Sequence, residues 1–538
     1  MIAPLGLIPL FACLSPPVES PKTTVTQETS VRVEQSVKNK VDLLFMVDNS
    51  NSMAPKQQQL QQRFPQLIKQ LDAFAAQGND AWYHIGVVTS DLGAAGDLQA
   101  CAKAGGDGAK LQVAPNPMSS FPAPTDCGGF TLGGGENFID YNQIAGTSNV
   151  MGITGGALGD QVAAAFTCMA SVGDQGCGFE HQLESPYRAL HDNIAQNTGF
   201  LRSDAILAVV FVTDEDDCSA SDTTDLFANT TQANSMYGVL QSFRCTQFGI
   251  QCNGMPLTGQ SEAGLTGCTS YDVSNGGKLT DLNTYINFFT KPAAQGGVKA
   301  DPDDVILAAI SAPSDPVGVM VTMPCQGQST VASCPTLNHS CAAASDPMHF
   351  FGDPAVRLNE VVNSAKNHNL TSICDTDYTA AINALGNLII SKLGVGCLNS
   401  PIANRADGTP DCVVSDVTLN PDGTTTTKEV PSCALNNDTV PCWEKVDKLA
   451  DYNSGMCYES PLPTGCKLPS TCQPVVQAAH LGDMPVPKCA GTGAAADMNT
   501  CELASVSIDR GMDSMGMPNA APPGTTAQVS CATIASSM

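Results

Sequence analysis

Asp48, Ser50 and Ser52 stand at D-x-S-x-S spacing, and a second acidic turn, Thr213-Asp214-Glu215-Asp216-Asp217, lies far along the chain. Carboxylates and hydroxyls offer only hard oxygen donors, which suits Mg²⁺ and equally admits Mn²⁺ or Ca²⁺. Two serines two residues apart in a tight loop can point at one ion. Asp48 and Asp214 would supply charge, directly or through water. So few negative ligands leave an ion electrophilic, and a carboxylate or similar oxygen donor on a partner can complete its shell. The competing use of Asp48 is as a cap on the helix that follows. Asp216 and Asp217, in a run that continues to Asp222, offer a second, calcium-type site or else a solvated loop.

Positioning these groups falls to buried strands. Val41 to Val47 is almost continuously apolar and runs straight into Asp48; buried parallel strands have this character. Leu60, Phe64, Leu67, Ile68, Leu71 and Phe74 then recur at helical spacing. Trp82 to Thr89 is a second strand, Ile206 to Val212 the clearest of all, and Val305 to Ile310 a later one. Helices are predicted at Gln161 to Met169, His181 to Ile194, Ala355 to Lys366 and Tyr378 to Leu393, with a short strand at Leu370 to Ile373. From Ser90 to about Gly159 the chain is rich in Gly, Pro and Asn, carries Cys101 and Cys127, and reads as a long insertion with short strands, pinned by a disulfide. Strand–helix alternation predicts a doubly wound, mostly parallel α/β sheet, with ligands beyond the carboxyl ends of its strands. Asp48 and Asp214 both fall at such ends. No G-x-G-x-x-G follows a strand and no P-loop occurs, which argues against a nucleotide site.

Phe45 to Met53 and Val209 to Asp214, in this context, resemble the von Willebrand factor type A family and its metal-ion-dependent adhesion site, MIDAS. The resemblance covers Val41 to Leu393. It implies a Rossmann-like domain in which a partner's carboxylate or similar oxygen takes the open position on the ion. The family also places a Thr in a middle loop. The corresponding segment, Gly173 to Glu180, contains none. Glu180 either ligates in its place or sits in the first turn of the next helix, where the dipole favours an acid. Thr89, Ser90 and Asp91 end a neighbouring strand and are candidates to support the ion's ligands.

The whole chain has 538 residues, with 25 Lys and Arg against 52 Asp and Glu, a formal charge of −27. Such a surface repels phosphate backbones and disfavours nucleic-acid binding. Twenty-three cysteines without one C-x-x-C fit disulfides in an oxidising compartment better than zinc sites. Short gaps such as Cys168 to Cys177, Cys245 to Cys252 and Cys433 to Cys442 suit loop-closing bonds. Ile2 to Ala12 reads as a signal-peptide core too short to span a bilayer. Leu10-Phe11-Ala12-Cys13 resembles a bacterial lipobox, which implies a lipid on Cys13 and leaves an even 22 cysteines for pairing.

Four segments result: a signal at 1–13, a tether at 14–40, an enlarged type A-like domain at 41–393, and a cysteine-rich β or irregular module at 394–538. In the last, Val413 to Leu419 and Thr424 to Val430 are predicted to form a hairpin. No H-E-x-x-H and no G-x-S-x-G occurs, so an enzyme is not expected. The expectation is a cell-envelope protein, an outer-membrane lipoprotein or else secreted, that adheres to a partner through a divalent cation. The alternatives are a structural envelope lipoprotein with a degenerate metal site and, behind it, a metal-dependent hydrolase.

Overall fold

The structure, a computed structural model, describes residues 26–33, 39–75, 81–95, 101, 103–228, 237–323 and 334–393. Beyond these it describes 397–398, 405, 409–419, 425–435, 439–447, 456–457, 473–474, 504–509 and 525–534. Cys13 and its apolar leader lie outside the described residues.

In chain order the strands used below are β1 (Thr26–Val33), β2 (Lys40–Val47), β3 (Trp82–Thr89), β4 (Ile139–Asn142), β5 (Thr147–Ser148), β6 (Ile206–Val212), β7 (Val305–Ser311) and β8 (Asn367–Ser372). The helices are α1 (Ala54–Ala75), α2 (Leu158–Met169), α3 (Glu184–His191), α4 (Phe243–Gly249), α5 (Asn283–Thr290), α6 (Val356–Ser364) and α7 (Thr379–Leu393). The central sheet has seven strands in the order β8-β7-β6-β2-β3-β4-β5. The pairs from β8 to β3 are parallel, and β4 and β5 add an antiparallel edge.

Apolar residues alternate along β2 because successive side chains in a strand point to opposite faces. Leu43, Phe45 and Val47 enter one core with residues of α1, α2 and α7, while Leu44 and Met46 enter the other with residues of α5 and α6. Phe45 meets Phe64 of α1 and Phe166 of α2 at ring centroids of 5.5 and 4.7 Å, and those two lie 4.6 Å apart. Asp42, the one acid in this strand, is fully buried yet accepts from the Arg202 backbone N–H and Nε, each at 2.7 Å. A buried charge must be paired in this way to be tolerated.

Two sequence expectations change. The short strands expected between Ser90 and Gly159 are not all set apart in an insertion: β4 and β5 extend the central sheet beside β3. The cysteines also pair at longer range than their gaps imply. Cys101 bonds Cys177, Cys127 bonds Cys168, and Cys218 bonds Cys245. Cys252 bonds Cys268, Cys341 bonds Cys374, and the anticipated Cys433–Cys442 bond forms. Tertiary proximity, not nearness in sequence, chooses partners. The insertion is accordingly anchored twice, by Cys101 and by Cys127.

Past residue 393 the predicted hairpin forms as β9 (Cys412–Leu419) and β10 (Thr425–Val430), with Val414 opposite Val430. Three further strands are β11 (Cys442–Asp447), β12 (Ala504–Asp509) and β13 (Thr525–Ile534). β1 pairs antiparallel with β13 from Thr26–Ile534 to Val33–Ala527, in a sheet ordered β1-β13-β9-β10. Residues 26–33 are therefore a strand of the C-terminal sheet, not part of a free tether. Among the described residues no helix is long and apolar enough to cross a membrane.

Candidate functional site

β2 and β6 stay paired to their last residues, and the Asp48 N–H donates to the Val212 carbonyl at 2.9 Å. The turns after these adjacent strands are thereby forced together. Ser52 Oγ donates to Asp214 Oδ1 at 3.0 Å, and Ser50 Oγ and Ser52 Oγ are 3.1 Å apart. Asp48 Oδ1 accepts the Ser50 N–H at 2.8 Å, and Asp48 Oδ2 accepts the Thr213 hydroxyl at 2.7 Å. Asp48 thus closes a local turn onto the residue two ahead and does not cap the helix. Gln57 fastens the loop from below, donating through Nε2 to the carbonyls of Asp48 and Gly173. The predicted quartet of Asp48, Ser50, Ser52 and Asp214 is one hydrogen-bonded cluster, and only Ser52 within it is partly exposed.

Burial raises the Asp48 carboxyl to about 6, helped by the charge of Asp214. Burial also raises Asp214, although Lys56 opposes it. Lys56 Nζ lies 2.6 Å from Asp214 Oδ2, with both side chains fully buried. It donates as well to the Ser52 carbonyl at 3.3 Å and sits 4.1 Å from the Phe351 ring centroid. Sequence reasoning missed this ammonium. The available signal was helical spacing: Lys56 follows Ser52 by four residues, at the start of α1. The Thr213 hydroxyl was also missed as a partner of Asp48. It places a threonine oxygen at the cluster, from the second strand and not from a middle loop.

Glu180 falls close to the quartet but outside the helix it was expected to begin. α3 starts at Glu184, which holds the first-turn acidic position. Burial raises Glu180 well above the usual carboxylate range, followed by the charges of Glu215 and then Asp48. Of the three strand-end residues proposed as support, Ser90 reaches Asp48, with Oγ 3.4 Å from Oδ1. Thr89 instead bonds Asp107 at 2.8 Å, and Asp91 accepts the Gly93 N–H.

Asp216 and Asp217 are engaged by protein donors. Asp216 accepts the Arg357 and Leu358 N–H groups at the start of α6, each at 3.0 Å. Asp217 pairs with Arg357 Nε at 3.2 Å and accepts the Leu183 N–H at 3.0 Å. Among the described residues no three Asp, Glu, His or Cys side chains converge as a metal-ligand group. The quartet differs in kind, being two carboxylates and two hydroxyls.

No protein-family model matches the chain, and no curated protein matches it. Solved structures do. One is a von Willebrand factor type A protein from Catenulispora acidiphila, with 8 % identity, a TM-score of 0.26, and 75 % of this chain covering 55 % of that one. Another is the pilus adhesin SpaC from Lactobacillus rhamnosus GG in an open conformation, with 10 % identity, a TM-score of 0.28, and 93 % of this chain against 39 % of that one. A third is the pilus adhesin RrgA from Streptococcus pneumoniae, with 11 % identity, a TM-score of 0.28, and 94 % against 57 %. The chain spans about two fifths to three fifths of the length of these proteins. At such overlap the α/β fold stands on the chain's own sheet order and register.

Proposed function

We propose that this chain is a surface or secreted binding protein that engages an oxygen-bearing partner through a divalent cation held by Asp48, Ser50, Ser52 and Asp214. The observation that carries the reading is the cluster itself. Two hydroxyls and two buried carboxylates meet at the carboxyl ends of adjacent central strands, and one ammonium does not neutralise both acids. A bound Mg²⁺, Mn²⁺ or Ca²⁺ would supply positive charge and a position for a partner's carboxylate. The protein's own part is to hold the four oxygens together and to exclude water from all but the Ser52 side. The disulfides fit an oxidising compartment. Lipidation of Cys13 and an outer-membrane location extend this reading from the sequence.

A second reading is a structural envelope protein with a degenerate site, and Lys56 favours it. An internal ammonium on Asp214 already does part of an ion's work. Calorimetry of the full chain separates the two. On the first reading, wild type binds Mg²⁺, Mn²⁺ or Ca²⁺, and folded Asp48→Ala and Asp214→Ala variants lose both that heat and chelator-sensitive capture of partners from envelope extracts. Absence of any such binding by wild type would overturn the first and leave the degenerate site of the second.

A further inference from the structure

Lys56 brings a positive charge into the Asp48 cluster and is held there on three sides. Its Nζ lies 2.6 Å from Asp214 Oδ2, 3.3 Å from the Ser52 carbonyl and 4.1 Å from the Phe351 ring centroid, and its side chain is fully buried. The Phe351 ring is itself stacked on His339 at 4.1 Å. A side chain so enclosed keeps its ammonium at Asp214 when another cation arrives. The hydrogen bonds that follow have one direction. The ammonium only donates, and an ionised Asp214 only accepts. Ser52 Oγ, 3.0 Å from Asp214 Oδ1, therefore gives its proton inward. Ser50 Oγ, 3.1 Å from Ser52 Oγ, then donates to it. Lone pairs on the serine oxygens are left for a cation, and Ser52 is partly exposed. Thr213 likewise gives its proton inward, to Asp48 Oδ2 at 2.7 Å. Asp48, Asp214 and Lys56 together sum to one negative charge. Glu180 and Glu215 add little to it, because burial pushes both carboxyls well above the usual range. Asp353 faces His339 at 2.6 Å.

We propose that Lys56 makes the cluster bind a divalent cation and a carboxylate cooperatively, weakly for either alone. This rests on the cation reading given above and adds the residue that couples the ion to its partner. A divalent ion beside two carboxylates and an ammonium leaves one positive charge; without the ammonium the sum would be zero. Lys56 repels the incoming ion at short range in a poorly screened interior, which lowers its affinity. The residual positive charge, on a chain of formal charge −27, then attracts an anionic group. A carboxylate that neutralises it strengthens the ion, and the ion strengthens the carboxylate by the same factor. Lys56 ligates neither. It positions Ser52 through Asp214 and sets the charge of the site.

The test is calorimetric titration of the chelator-stripped full chain with Mg²⁺, in sodium chloride and in sodium acetate of equal ionic strength. Acetate serves as the simplest carboxylate, and matched ionic strength keeps screening constant. Wild type should bind Mg²⁺ about tenfold more tightly in acetate than in chloride. Lys56→Gln keeps an N–H donor and removes the charge. It should bind Mg²⁺ about tenfold more tightly than wild type in chloride and gain nothing from acetate. A residue that only braces the fold would lose ion affinity on substitution. Equal or weaker binding by folded Lys56→Gln in chloride therefore overturns the proposal. Wild-type binding that is the same in both salts overturns it too and leaves the cation reading standing. No Mg²⁺ bound by either chain in either salt overturns the cation reading and this inference with it. Should Lys56→Gln fail to fold by circular dichroism, the acetate dependence of wild type decides alone.

Discussion

Lys56 and Asp48 carry opposite consequences of burial. Lys56 compensates Asp214 at 2.6 Å inside the protein. Removing one partner of a buried pair costs about 3–5 kcal/mol because the other charge is stranded. Lys56→Met should therefore lower stability in urea by about that much in chelator, and saturating Mg²⁺ should restore part of it. A loss within the ordinary surface range of about 0.5 kcal/mol would show that the ammonium is not the counter-charge. Asp48 has the reverse problem, since burial raises its carboxyl from 3.8 to about 6. A raised carboxyl adds stability below its unfolded value, and that stability is lost as pH climbs through the folded value. Buried His181, lowered by desolvation, acts oppositely: its contribution is present above 6.5 and lost as pH falls. Comparison with Asp48→Asn isolates the one group. In chelator, the stability of wild type relative to that variant should fall by about 2 kcal/mol between pH 4 and 8. A flat difference in denaturant titrations would mean that Asp48 ionises freely.

At the scale of elements, the site depends on how β2 is clamped. Its alternate residues serve two cores, and the Phe45, Phe64 and Phe166 rings lock β2 to α1 and α2. Phe45→Ala should cost about 3–5 kcal/mol, the usual penalty for deleting a buried aromatic side chain, measured by urea unfolding with disulfides intact. Because Phe45 lies three residues before Asp48, the same variant should weaken divalent-ion binding without touching a ligand. Unchanged ion affinity in a destabilised variant would show that the loop holds its shape independently of the strand. Most of this element structure was legible beforehand. Continuous apolar runs marked β2, β6 and β7, and helical spacing marked α1. Short strands were expected somewhere between Ser90 and Gly159, but the bounds of β4 and β5 and their place in the central sheet were not legible, because Ile139 to Ser148 is short and lies in a Gly-rich stretch with no sustained alternation.

Across the whole molecule, long-range links join segments that read as separate. Cys127–Cys168 closes a 41-residue separation between the inserted stretch and α2. Replacing both cysteines by Ala should lower stability by about 2–4 kcal/mol in thermal or denaturant unfolding, while leaving Asp48 and its partners in place. β1 and β13 join the two ends of the described chain over eight residue pairs. Deleting residues 26–33 should accelerate amide exchange across 525–534 and leave 206–212 protected. Unaltered exchange in 525–534 would refute the pairing.

The local sequence determined the class of the fold and the chemistry of its main loop. Strand and helix periodicities are short-range properties, and D-x-S-x-S places Asp48, Ser50 and Ser52 within one turn. Tertiary structure decided which distant groups complete the neighbourhood. Asp214 is brought to Ser52 by the pairing of β2 with β6. Asp353, whose N–H donates to the Asp214 carbonyl, arrives from a loop with no local pattern to announce it. Cysteine partners and the place of β1 belong to the same group. Each is set by a three-dimensional approach between segments tens to hundreds of residues apart, which short-range spacing does not encode.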